Sequence, residues 1–304
     1  MVRSLAPVVP IELQVPSPLD ELGDERLSHA GLRLLLKRDD LISPAIPGNK
    51  WRKLQHNLRA ARDEGHDVLL TFGGAYSSHI RATAAAGHHY GFATIGIIRG
   101  EEHRPLNPVL AAAAGYGMRL EYLDRTAYRD KENPELIASL RRRFGGFYLL
   151  PEGGSNALAA QGCAEIAAEI TQPFDVICVP CGTGGTLAGL AHGLSAGQRA
   201  LGFAVLRGAF LDREVAALQT AAFGAPSANW SISNDFHFGG FARRKPALDG
   251  FIAGFTARHG LLLDWVYTAK MMYGIYDLAA RGTFPPGTTL AALITGPAHE
   301  DPAS

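Results

Sequence analysis

Cysteine is scarce in this chain of 304 residues: Cys163, Cys178 and Cys181 are its whole supply. Three clustered thiols cannot build the disulfide framework of a small secreted domain. Cys178 and Cys181 are spaced as C-x-x-C, but no second pair and no nearby histidine completes a zinc set. Cys178 lies in an apolar run, so a buried structural thiol is expected there. A charge imbalance is missing too. Lysine plus arginine number 29 and aspartate plus glutamate 29, and nothing in that balance points to a nucleic acid or a membrane surface as partner. No apolar run reaches the length of a membrane span, and Met1-Val-Arg-Ser lacks the apolar stretch of a signal peptide. Repeats and low-complexity segments are absent as well. These absences leave a globular protein of the reducing cytoplasm as the expectation.

Apolar residues are plentiful. They make up 47% of the chain against 19% charged, enough for a sizeable core and for two domains. Short apolar runs alternate with helical patterns. Val68–Phe72, Thr94–Ile98, Arg119–Leu123, Phe147–Leu150, Val176–Val179, Leu201–Leu206 and Thr289–Ile294 read as strands. Helices are expected over Ser77–His89, Asn107–Tyr116, Pro134–Arg143, Ala157–Ile170, Glu214–Phe223 and Met271–Ala280. Alternating β and α with fully apolar strands implies an α/β protein whose mainly parallel sheets are covered by helices on both faces. The spacing suggests a small inserted α/β domain over residues 53–151 and a large domain formed by 1–52 plus 152–304. Pro226–Pro246 reads as a long loop leading to a helix start.

Three places carry chemistry. Cys181-Gly182-Thr183-Gly184-Gly185-Thr186 joins a buried strand to a helix. Its glycines let backbone N–H groups crowd around one point, two threonines add hydroxyls, and a helix N-terminus stands behind them, which together form a phosphate cradle. It is neither G-x-x-x-x-G-K-[ST] nor a G-x-G-x-x-G fingerprint, so a nucleoside triphosphate is disfavoured and a dinucleotide unsupported. The plain alternative is a tight turn without a ligand. A second cradle is Gly73-Gly74-Ala75-Tyr76-Ser77-Ser78-His79-Ile80-Arg81, suited to a small anion such as a carboxylate. One of its serines is explained by simple N-capping, the second and the glycines are not. His79 and Arg81 read equally as surface residues or as ligands. Met271 and Met272 read as core.

The third place is Pro47-Gly48-Asn49-Lys50-Trp51-Arg52-Lys53-Leu54, where a lysine stands at the start of an amphipathic segment. A helix N-terminus disfavours the ammonium relative to the amine. A neutral amine condenses with aldehydes and takes protons from carbon. On spacing alone, a solvated surface lysine is the default reading of Lys50. Set beside a phosphate cradle and a small-anion cradle, it suits a phosphorylated aldehyde cofactor acting on a carboxylate-bearing amine, and that cofactor is pyridoxal 5'-phosphate.

The chain resembles the pyridoxal-phosphate enzymes of the tryptophan-synthase β-like fold (fold type II), and within them the branch holding 1-aminocyclopropane-1-carboxylate deaminase and D-cysteine desulfhydrase. The resemblance is carried by Lys37-Arg38-Asp39-Asp40, Gly48-Asn49-Lys50 through Lys53-Leu54, Gly73-Gly74 through Arg81, Thr183-Gly184-Gly185-Thr186 and Tyr267-Thr268-Ala269-Lys270. It implies a two-domain, three-layer αβα architecture, a homodimer and a small amino-acid substrate. It implies that Lys50 is the Schiff-base lysine and proton shuttle, and that Lys53 with Gly182, Thr183, Gly184, Gly185 and Thr186 holds the phosphate. By the same resemblance Ser77 meets the substrate, Tyr267 lies beside the cofactor ring, and Thr268 and Thr295 line the ring-nitrogen side. The deaminase carries glutamate and leucine at the last two positions, so threonine at both favours β-elimination over ring opening. Deamination of 1-aminocyclopropane-1-carboxylate is the enzymatic alternative, and a cofactor-binding protein without turnover is the other. Three positions depart from the branch's pattern: Ser78 replaces an asparagine that faces the cofactor's phenolic oxygen, Phe241 replaces a tyrosine, and Ile294-Thr295-Gly296-Pro297 replaces His-Thr-Gly-Gly.

Overall fold

The computed structural model describes residues 6–297. In chain order, β1 (Leu19–Glu21), α1 (Glu25–His29) and β2 (Arg33–Lys37) come first. There follow α2 (Lys50–Asp63), β3 (Val68–Gly74), α3 (Ser78–Tyr90), β4 (Ala93–Arg99), α4 (Pro108–Gly115), β5 (Arg119–Leu123), α5 (Pro134–Phe144) and β6 (Tyr148–Leu150). The remainder runs α6 (Ala157–Ala168), β7 (Val176–Cys181), α7 (Gly185–His192), β8 (Arg199–Ala204), α8 (Leu211–Phe223), β9 (Trp230–Ser233), α9 (Pro246–His259), α10 (Thr268–Ala280) and β10 (Thr289–Leu293).

The chain forms two compact units, Met1–Leu13 with Ser43–Ala159, and Gln14–Ile42 with Ala160–Ser304. These bounds differ from the expected breaks at 52/53 and 151/152. A break at 52/53 would cut α2, which is one continuous helix. Its Asn57 is tied to Asn156 by paired amide bonds of 2.7 and 3.2 Å and accepts the Tyr148 hydroxyl at 3.1 Å. Val8 and Val9 join the same unit, since their N–H groups both donate to the His89 carbonyl.

The first unit holds a sheet in the order β5-β4-β3-β6, all parallel. Side chains alternate across it as the pleat requires. Leu70, Phe72, Ile95 and Ile97 pack on one face with Leu140 of α5 and Phe147. Ile98 packs on the other with Ile80 and Ala84 of α3 and Leu110 and Ala113 of α4. The Asn107 and Asn133 carboxamides cap α4 and α5, each followed by proline at the first helical position.

The second unit holds a six-stranded sheet in the order β1-β2-β10-β7-β8-β9. Only β1 pairs antiparallel. Leu34, Leu36, Cys178, Leu290 and Ala292 face α9 and α10, while Leu35, Ile177, Val179, Ala291 and Leu293 face α6, α7 and α8. Strands covered on both faces have no polar side to show, which is why they read as unbroken apolar runs. Strand β9 lies inside the stretch expected to be loop, and β8 begins two residues earlier than expected. Met271, Met272 and Cys178 are buried in this core, as expected. No helix among the described residues is long and apolar enough to cross a membrane.

Candidate active site

Lys50 is the first residue of α2, and its Nζ donates to the Asn49 Oδ1 at 3.2 Å. Asn49 is buried and its side chain makes no capping bond to the helix. One turn on, Lys53 is 5% exposed and its ammonium donates to the Gly153 carbonyl (3.2 Å) and the Ser155 hydroxyl (3.1 Å). The glycine turn after β6 thus lies against this lysine. Its Gly153-Gly154 pair was the available sequence signal.

Ser77 occupies the N-cap position of α3 and Ser78 is its first residue. Ser77 makes no side-chain capping bond, so capping does not account for it, and the N–H groups at the start of α3 keep their positive potential. Next to them is a residue whose surroundings the sequence left open. His79 is 1% exposed and not a surface residue. The Thr71 hydroxyl donates to the Leu150 carbonyl (3.0 Å), so its oxygen is left to accept from His79 Nε2 (2.8 Å). That fixes the neutral Nε2–H tautomer and leaves Nδ1 as a buried acceptor with no partner. Burial first, then the Lys50 and Lys53 charges, lower the His79 pKa to about 3. Gly154, at φ +64°, closes over the ring, and a β-carbon there would stand 2.8 Å from His79 Cε1. Only glycine fits. Arg81 is half-buried and reaches the Pro44 carbonyl at 3.4 Å.

In the second unit the turn Gly182–Thr186 connects β7 to α7. Gly184 is the N-cap of α7 in the left-handed conformation (φ +78°), and no side chain caps the helix. A β-carbon on Gly184 would lie 2.7 Å from Val215 Cγ2, so the turn admits no larger residue without moving α8. Thr183 is exposed at the turn's tip and Thr186 is buried behind it. The Tyr267 ring lies against Gly182, whose β-carbon would meet its Cε1 at 3.3 Å. Asp264 holds this region: its carboxylate accepts the Val266 and Tyr267 N–H groups (3.1 and 2.9 Å), and its carbonyl accepts the Thr268 hydroxyl (3.2 Å). Thr295 lies just beyond β10, in a segment held by Ile294, whose N–H donates to Lys37 and whose carbonyl accepts from Asp40. Because Ala292 pairs with Cys178, continuing that parallel register sets Thr295 level with Cys181, at the same sheet edge as the glycine turn. Ligands of open parallel sheets bind at this carboxyl edge.

A glycine cradle backed by an uncapped helix, free of acidic side chains, suits a phosphate. A lysine at a helix start suits an aldehyde, and each of these features is one that the pyridoxal-phosphate class of enzymes calls for. The comparison with known sequences agrees. The family model described as pyridoxal-phosphate dependent enzyme matches residues 13–296, and the chain belongs to that family. It is 31% identical over 311 residues to a D-cysteine desulfhydrase from Klebsiella pneumoniae, covering 92% of this chain and 91% of that one. It is 33% identical over 277 residues to a Pyrococcus horikoshii protein provisionally named as 1-aminocyclopropane-1-carboxylate deaminase, covering 88% and 85%. A solved structure titled as an ACC deaminase homologue superposes with a TM-score of 0.83 at 31% identity, covering 96% of this chain and 92% of that one. The expected αβα fold of type II is the observed one.

Proposed function

We propose that this protein is a lyase that removes the α-proton and the β-substituent of a small amino acid. D-cysteine is the first substrate to test: with one water it gives pyruvate, ammonia and hydrogen sulfide. The observation that carries the reading is Lys50, an amine at the start of α2 whose Nζ is held by a buried side chain, Asn49. When bound, pyridoxal phosphate supplies an aldehyde that takes up an amino group and a ring that draws electrons from the Cα–H bond. Lys50 would hold that aldehyde, and its Nζ would take the α-proton of the substrate. Lys53 and the Gly182–Thr186 turn hold the phosphate, with Ser78 on the phenolic-oxygen side. Ser77 meets the substrate and Tyr267 flanks the ring.

Thr268 and Thr295 favour the desulfhydrase reading over the deaminase. Thr268 is fully buried and uncharged, and its hydroxyl donates to the Asp264 carbonyl. A neutral group there does not stabilise a protonated pyridine nitrogen, so the ring is a weaker electron sink. That suits β-elimination, in which the leaving group carries away the electrons. Deamination of 1-aminocyclopropane-1-carboxylate is the second reading, favoured by the 0.83 TM-score to the ACC deaminase homologue. The buried cysteines Cys163, Cys178 and Cys181 support a reducing cytoplasm. A homodimer completes the proposal on resemblance alone. The test is direct: the cofactor-loaded protein is assayed for sulfide and pyruvate from D-cysteine, and for 2-oxobutanoate from 1-aminocyclopropane-1-carboxylate. Pyruvate with matching sulfide is the expected result. Predominant 2-oxobutanoate establishes the deaminase instead, and no turnover of either makes the protein a cofactor binder.

A further inference from the structure

Lys270 has no part in the chemistry above, yet it is fully buried on α10. Its ammonium donates to two backbone carbonyls, those of His237 (3.0 Å) and Gly240 (2.8 Å). Both belong to a turn with strained backbone at two positions, one inside it and one directly after Phe241. Phe238 and Ala242 adopt φ of +54° and +50°, a region that bulky L-residues rarely enter. The Gly240 N–H returns to the His237 carbonyl (3.0 Å) and the His237 Nδ1 accepts the Gly239 N–H (2.9 Å). The residue so presented is Phe241. It is 49% exposed, and its ring meets Tyr267 edge to face with centroids 5.9 Å apart and planes at 70°. Tyr267 in turn lies on Gly182 of the phosphate turn.

A half-exposed phenylalanine contributes little to a core, and strain of this kind persists only where surrounding contacts enforce it. Here the enforcing contact is a buried cation on the turn's carbonyls, and the turn's product is an apolar ring beside Tyr267. We propose that Phe241 is a specificity-determining residue that selects amino acids with an apolar, thioether β-substituent over those with a bare thiol, and that Lys270 is the positioning residue that holds it on Tyr267. The inference rests on the reading that places Tyr267 beside the cofactor. A ring without a hydroxyl offers a thioether sulfur a favourable contact and gives a thiol no hydrogen-bond partner. The reaction is the same elimination: S-methylcysteine and one water give pyruvate, ammonia and methanethiol.

The experiment compares kcat/KM for S-methyl-D-cysteine and D-cysteine in the wild type, Phe241→Tyr and Lys270→Met, and follows hydrogen exchange of residues 239–243 in the cofactor-free proteins. Phe241→Tyr should lower the S-methylcysteine to cysteine ratio by about tenfold, with the cofactor's visible band unchanged. Lys270→Met should raise KM for both substrates more than it lowers kcat. It should also speed exchange in the turn by about tenfold or more while cofactor binding persists. An unchanged ratio in Phe241→Tyr overturns the specificity role. Unchanged exchange, or lost cofactor binding, in Lys270→Met overturns the positioning role. Phe241 is half-exposed, so its variant folds and carries the specificity test even if Lys270→Met does not, and Lys270→Gln then replaces the latter in the exchange arm. A wild type with no visible band or no pyruvate from either substrate defeats the lyase reading itself, and the specificity role falls with it. The exchange arm needs no cofactor and judges Lys270 in either case.

Discussion

His79 shows at the scale of one residue how environment overrides type. An imidazole, free to titrate near neutrality in an unfolded chain, is kept neutral here by burial and by the nearby charges of Lys50 and Lys53. Its pKa falls from 6.5 to about 3. Between those values the unfolded chain binds a proton that the folded chain refuses. The stability contributed by keeping His79 neutral is therefore complete above pH 6.5 and is lost as pH falls toward 3, at up to about 1.4 kcal/mol per pH unit. His79→Gln keeps a donor for Thr71 but does not titrate. Urea unfolding measured from about pH 7 to pH 4.5 should show a shallower acid loss in the variant, and parallel curves would refute this role for the histidine. Lys50 and Lys53 could be singled out from sequence because their types and motif announce the chemistry. His79's burial could not, since it depends on Thr71, Leu150 and Gly154 arriving from three other segments. Lys270 was hidden for a similar reason: its partners are carbonyl oxygens some thirty residues away, and a carbonyl carries no sequence identity.

Among the elements, side-chain caps close some helix starts and not others, and α8 and α9, away from the candidate residues, are uncapped too. Asp24, Asn107 and Asn133 close the starts of α1, α4 and α5 with side-chain bonds, whereas α2, α3 and α7 start at candidate site residues with no such bond. A helix start left open keeps N–H groups for an anion. Gly184→Ala tests this at α7. The substitution places a side chain at φ +78° and a β-carbon 2.7 Å from Val215 Cγ2. It should cost about 1–3 kcal/mol of stability and weaken cofactor binding by about tenfold or more. Denaturant curves and spectral titration with pyridoxal phosphate measure the two effects, and unchanged affinity would remove the turn from the phosphate site. The long elements were legible because buried parallel strands and glycine-stopped helices leave strong patterns, as at β4 and α3. The short ones were not. Strand β9 has four residues, Trp230–Ser233, at a sheet edge with mixed polarity, and nothing in that stretch separates it from loop.

For the whole molecule, the family and the fold were readable because their motifs span the chain in order. The unit boundaries were less so, since they depend on contacts such as Val8 with His89 and Asn57 with Asn156 that no local pattern reveals. Three buried lysines stand beside the half-buried Lys50 as rivals for the central role. Lys37 is bound to Glu169 at 2.7 Å, Lys53 to the Gly153 turn and Lys270 to the 237–240 carbonyls. Lys50 alone of these four is assigned to the cofactor's aldehyde. Reduction of the cofactor-loaded protein with borohydride, followed by peptide mapping, fixes the cofactor to the lysine that holds it. The pyridoxyl group is expected on Lys50, and Lys50→Ala should abolish both the label and the visible band. A label on Lys53, Lys270 or any other lysine, or no label on a protein that binds the cofactor, would contradict the assignment.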